Sequence, residues 1–173
     1  MSTPPTPLNA VARGLVAGVV GTACMTAAQM LYAKLQPPAP QEDQGSSSEP
    51  QDPWEGASAP AQVGRRVIEG VFHGEVPPER IALLTNVMHW GYGTGWGAVY
   101  GLVQGGHRTR PLRDGLLFGT GVWAMAYVQL VPMGIYEPPW KYSIKDLASE
   151  WGFHLVHGPG VAAAYRVIAG AGR

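Results

Sequence analysis

Glu150, His154 and His157 stand at i, i+4 and i+7 inside an apolar stretch covering residues 147–169, and those offsets share one face of a helix. A second polar patch, Asn86 and His89, lies one turn apart in another apolar stretch. If the two patches face each other, they offer two to three imidazoles and a carboxylate. Such a set suits Zn or Fe, and it equally suits a proton relay, because histidine titrates near neutrality and a neighbouring carboxylate shifts it. The Glu-x-x-His repeat of di-iron bundles is absent. Ser149 has no base at the spacing of a nucleophile elbow. The structural alternative is a Glu150 near a membrane boundary, hydrated or paired with Lys145 beside Tyr142 and Trp151. The histidines would then be neutral and bonded to other helices, or to the carbonyl near Leu155 that Pro159 leaves without its helical donor.

The elements that must position these groups are four apolar stretches at residues 10–35, 81–103, 115–135 and 147–169, none with Lys or Arg in its middle. Each has about the 20 residues that a hydrocarbon core requires. The expectation is an all-α, polytopic membrane protein, a bundle of four transmembrane helices forming one membrane domain over residues 1–173. A cleaved signal peptide is the alternative for the first stretch. Ionisable groups at membrane depth are costly enough to mark a site by default. Between Gln36 and Arg80 lie eight acids and three arginines. Residues 36–62, rich in Pro, Ser, Gln and acids, cannot bury enough apolar surface to offset ordering entropy. They read as a disordered acidic loop outside the cytoplasm, between the first and second spans. Residues 63–76 carry Val63, Val67, Ile68 and Val71 at helical spacing and read as an amphipathic interfacial helix, ended by Pro77-Pro78.

Gly14 and Gly18, then Gly93, Gly97 and Gly101, then Gly115 and Gly119 recur every four residues. This spacing lets membrane helices approach closely. Gly93-Thr94-Gly95 follows no strand and lacks the third glycine of a dinucleotide fingerprint. The Gly-Tyr-Gly triplet at 91–93 lies in a helical run, unlike a potassium filter. The single Cys24 excludes an internal disulfide and a Cys-based metal site. Formal net charge is zero and no basic face with interleaved aromatics exists, so nucleic acid is not among the partners.

Orientation follows from loop charge. The connection at residues 104–113 carries Arg108, Arg110 and Arg113, and short basic loops stay in the cytoplasm. Four spans then leave both termini cytoplasmic, in keeping with Arg13, Arg166 and Arg173, although Lys34, Lys141 and Lys145 fall on the outer side.

Several runs carry a family likeness. Gly14-Leu15 with Ala17-Gly18-Val19-Val20, His89 followed by Tyr100, and Gly115-Leu116-Leu117 resemble the YagU-like bacterial inner-membrane proteins. So does the longer pattern Pro132-Met133-Gly134, Pro138-Pro139, Trp140, Ser149-Glu150 and His154-Leu155-Val156. Residues 36–62 and His157 lie outside it. The resemblance implies a small multi-pass protein of the bacterial inner membrane, in a family without an assigned enzymatic mechanism. Three functions stay open: movement of protons or a small solute through an oligomer, a structural or assembly subunit of a membrane complex, and a metal-binding membrane enzyme. The lipid bilayer is the expected partner, with a second copy or a membrane complex beside it, since four spans are few for a transporter. A reporter fused after Gly106 is expected to be active only in its cytoplasmic form; periplasmic activity at that position would reverse the orientation.

Overall fold

Small residues spaced four apart put a strip without side chains along one side of each long helix, and those strips decide how the helices meet. The computed structural model describes residues 6–37, 52–104 and 110–171. They form α1 (Pro7–Leu35), α2 (Ala59–Val71), α3 (Ile81–Gln104), α4 (Pro111–Leu130) and α5 (Ile144–Ala171), with 3-10 turns at Pro78–Arg80 and Pro139–Lys141. No strand occurs among the described residues. The fold is all-helical.

The central helix is α1. It packs against α3 on one side and α5 on the other, α4 packs on α5, and α2 packs on α3. On the α1–α3 side, a Cβ added to Gly18 would lie 2.8 Å from the Thr94 carbonyl oxygen, and one on Gly101 would lie 3.0 Å from Gly14 Cα. Gly97 meets the backbone of both Gly14 and Gly18. The α1–α5 contact follows the same rule: a Cβ on Gly160 would be 3.1 Å from Gly21 Cα. Between α4 and α5, one on Gly115 would be 2.5 Å from Pro159 Cα and one on Gly119 2.9 Å from the His154 carbonyl carbon. Below 3.0 Å real Cβ atoms do not fit, so Gly18, Gly115 and Gly119 must be glycine, and the 3.0–3.1 Å approaches leave a side chain room only if a neighbour shifts. The pairings run in opposite chain order, so α1 is antiparallel to α3 and to α5, and α4 is antiparallel to α5.

With backbone filling the interior, bulk goes outward. The buried apolar residues of the bundle are few and mostly small: Ala10, Ala17, Val122, Ala126, Val161 and Ala162, with Tyr100, Tyr127 and Tyr165. Leu15, Val16, Val19 and Val20 on α1, Leu83, Val87 and Val99 on α3, Leu116, Leu117 and Val128 on α4, and Val156 and Val167 on α5 are exposed. Among the described residues, one helix, α1, is long and apolar enough to cross a membrane by length and composition. The glycines, histidines and amphipathic aromatics of α3, α4 and α5 lower their mean hydropathy.

Three boundaries differ from the sequence reading. The third apolar stretch, expected to reach residue 135, stops as a helix at Leu130. There the Ile135 and Tyr136 amides both return to the Leu130 carbonyl, while Gly134 takes a φ of 64°, a left-handed turn that glycine permits. The amphipathic helix, expected at residues 63–76, runs Ala59–Val71. The segment read as disordered, residues 36–62, lies outside the described residues at 38–51, but from Asp52 onward it is ordered. Trp54 is buried with Ala61, Val76 and Leu84, and Arg65 sits over the Trp54 ring at 4.9 Å while pairing with Glu69 at 2.9 Å. One tryptophan supplies the apolar area that composition averaged away. The Arg66 guanidinium also donates to the Met133 carbonyl, tying α2 to the turn after α4.

Two substitutions on α3 separate the seam from its surroundings. Gly95, with open space around it, replaced by Ala is expected to leave the thermal midpoint unchanged or raise stability by up to about 1 kcal/mol, through helix propensity. Gly97→Leu must push α1 away and is expected to cost at least ~2 kcal/mol. Equal midpoints for the two variants, measured on purified protein, would refute the seam.

Candidate functional site

His157 is 2% exposed and stands where all four long helices meet. Its Cε1 would be 3.4 Å from a Cβ on Gly93 of α3, the Phe118 ring of α4 stacks on it at 6.2 Å, and the Gly21 carbonyl of α1 lies alongside. Neither ring nitrogen makes a well-formed hydrogen bond, the Gly21 carbonyl being the acceptor within reach. Glycine sets the approach: Gly21 lets the α5 backbone at His157 and the Val161 side chain come close to α1, and Gly93 leaves room for Thr22 beside the ring. Thr22, 1% exposed, satisfies its own hydroxyl by donating to the Gly18 carbonyl at 2.8 Å.

One turn nearer the other end of the bundle, His89 Nε2 reaches Thr26 Oγ1 of α1 at 3.2 Å, and His154 Nδ1 reaches the Glu150 carbonyl at 2.8 Å. The three imidazoles are within electrostatic range of one another. They come from α3 and α5, which touch only slightly, and α1 contributes the threonines between them. The face shared by Glu150, His154 and His157 along α5 therefore does not lead to one common pocket. Glu150 turns to α4, where Tyr127 Oη donates to Glu150 Oε2 at 2.9 Å. It makes no ion pair with Lys145 or with any other described residue. Asn86 is exposed and bonds back to the Ala82 carbonyl at 2.8 Å, away from the histidines.

Sequence offsets alone do not reveal the neighbours of Glu150. Tyr127, Tyr136 and Tyr142 form a triangle of rings with centroids 5.3, 6.0 and 6.2 Å apart. Burial and the neighbouring Glu150 carboxylate push the Tyr136 phenol above its usual range. Beside them Tyr32 Oη and Ser149 Oγ share a hydrogen bond of 3.1 Å, and the Tyr32 ring meets Phe153 edge-on at 5.4 Å. Thr22 and Thr26 did leave a signal: they continue the four-residue spacing of Gly14 and Gly18 along α1.

Polar groups thus form a line in one half of the bundle: the tyrosine cap and Glu150, then His154, His89 and Thr26, then Thr22 and His157. Past His157 the interior becomes Ala17, Val161, Ala162 and the glycine seam. Among the described residues, no three His, Cys, Asp or Glu side chains gather closely enough to hold a metal ion. What the arrangement offers is hydroxyls and imidazoles in sequence, each able both to give and to accept a proton. A separate groove of about 400 Å³ lies between α3 and α4, lined almost wholly by apolar side chains.

Comparison with family models, with curated proteins and with solved structures found no match.

Removing the Tyr127 hydroxyl leaves a half-buried carboxylate without its donor. Tyr127→Phe is expected to lower stability by about 1–3 kcal/mol, whereas Glu150→Gln, which keeps an oxygen acceptor, is expected to lower it less. Thermal unfolding of the two variants in detergent checks the order, and the reverse order would refute this role for the pair.

Proposed function

We propose that this chain is a four-span integral protein of the bacterial inner membrane, of the YagU-like kind, that moves protons or a small polar solute along its buried polar line as part of a homo-oligomer. The observation that carries the activity is His157, an imidazole buried at the four-helix junction with neither nitrogen in a well-formed hydrogen bond. A histidine kept only for structure would be hydrogen-bonded, because leaving a buried polar group unsatisfied costs about 1–3 kcal/mol. A group that must accept and release a proton, or bind a passing solute, needs that vacant capacity.

The membrane placement draws on packing. A fold with backbone and alanine inside and leucine and valine outside inverts the soluble arrangement, and an apolar girdle on that scale marks contact with lipid or protein. Membrane helices associate through such small-residue seams. The four long helices have 29, 24, 20 and 28 residues, and even the shortest reaches about 30 Å at 1.5 Å per residue. Between its ends the girdle exposes no Asp, Glu, Lys or Arg. Mean hydropathy understates α3, α4 and α5, because lipid would meet their outward faces alone while the average counts their glycine seams.

The antiparallel order brings Arg13, Arg110, Arg113 and Arg166 to one end, which positive-inside bias assigns to the cytoplasm. The polar line then opens outward, under the tyrosine cap. Each bundle closes below His157, so complete passage requires the oligomer.

Reconstituted into liposomes holding a pH-sensitive dye, the protein is expected to dissipate an imposed proton gradient faster than empty vesicles. His157→Leu, similar in volume and free of unsatisfied atoms, is expected to keep or raise the thermal midpoint while cutting the flux at least tenfold. Flux equal to that of empty vesicles, or unchanged in the variant, would overturn proton movement in favour of an assembly subunit.

A further inference from the structure

From the groove between α3 and α4, we infer a binding site for one anionic phospholipid of the cytoplasmic leaflet, with an acyl chain in the groove and its phosphate at Arg110 and Arg113. The inference rests on the membrane reading above, and three observations carry it. The groove, about 400 Å³ and lined by Trp96, Val99, Leu117, Phe118, Val122 and Met125 among others, is left open because α4 packs on α5 rather than on α3. Gly121, an exposed residue of α4, also lines it, and an added Cβ there would meet nothing within 4 Å. A lipid-facing cleft of this shape matches a hydrocarbon chain and offers almost no polar group to a soluble solute.

The second observation is a buried donor without a well-formed hydrogen bond. Tyr100 lines the groove, is 3% exposed, and its hydroxyl makes no well-formed hydrogen bond, with the Gln104 side chain alongside. It stands one turn before the end of α3 at Gln104, which on the membrane reading lies just inside the cytoplasmic boundary. The third is charge. Arg110 and Arg113 are exposed at the same end and belong to no ion pair among the described residues. The one acid on the groove, Asp114, already accepts the Arg110 amide at 2.7 Å. Two free guanidiniums above an apolar cleft favour a phosphate diester with net negative charge over a zwitterionic lipid.

The test uses full-length protein extracted from membranes in mild detergent and titrated, by native mass spectrometry, with phosphatidylglycerol or phosphatidylcholine of the same chains. One phosphatidylglycerol per protomer is expected to be retained, at least tenfold more strongly than phosphatidylcholine. Gly121→Leu, which fills the groove, is expected to abolish retention of both with helicity intact. The double variant Arg110→Gln/Arg113→Gln is expected to keep chain binding but lose the headgroup preference. Equal retention of the two lipids by the unaltered protein, or retention unchanged by Gly121→Leu, would overturn the site. A doubled protomer mass that Gly121→Leu abolishes would give the groove to a second copy instead. Recovery of the chain in the soluble fraction after a carbonate wash would refute the membrane reading itself, an outcome separate from all of these.

Discussion

Everything in this molecule depends on how closely α1 approaches its neighbours. Gly14, Gly18 and Gly21 bring the α1 backbone against the backbones of α3 and α5, and Gly115 and Gly119 do the same for α4 upon α5. At such separations attraction comes from many short backbone contacts, each weak and collectively large, and not from buried leucines. Large side chains have no interior position, so they line the outside. The apolar girdle and the glycine seams are one fact seen from two sides.

The polar site follows from the same constraint. Where glycines continue on both partners, nothing polar fits; where the α1 repeat changes from glycine to Thr22 and Thr26, the helices still meet closely but now carry hydroxyls. His157 lies where Gly21 admits the α5 backbone against α1 and Gly93 leaves room for Thr22 beside the ring. Its isolation is therefore geometric: Thr22 spends its hydroxyl on the Gly18 carbonyl, and Phe118 covers the ring face toward α4.

Much of the helical layout was legible because long apolar runs and four-residue glycine spacing are properties of single helices. The starts and ends of α1 and α3 fall within a few residues of the stretches read from hydropathy, and the glycine faces are the contact faces. What sequence could not give was which helix each face meets. His89 and His154 belong to helices that α1 largely separates, so they interact across it, and Glu150 finds Tyr127 because α4 lies on α5. Asn86 shares a face with His89 only loosely at three residues, and the twist between them carries Asn86 to the outside. The order at residues 52–62 was hidden for a different reason: Trp54, in an acidic, proline-rich stretch, anchors by one side chain what composition measures as an average. The family likeness left His157 aside, yet it is the residue at the centre of the bundle.

The two halves of the bundle differ in kind. Toward the tyrosine cap the helices are held by directed bonds: Tyr127 donates to Glu150, while in Tyr32–Ser149 and His89–Thr26 either partner can be the donor. Toward the arginine-bearing end they are held by close backbone contact and by the edge-on rings of Tyr100, Phe118 and Tyr165, and there the α3–α4 groove opens. Directed bonds can exchange partners at small cost when a proton arrives, because a new donor replaces the old. A glycine seam cannot open gradually, since a small separation already forfeits much of the contact energy. Any movement that links the polar line to the far side is thus concentrated at one level, around His157, Phe118 and Gly93, where the two kinds of packing meet.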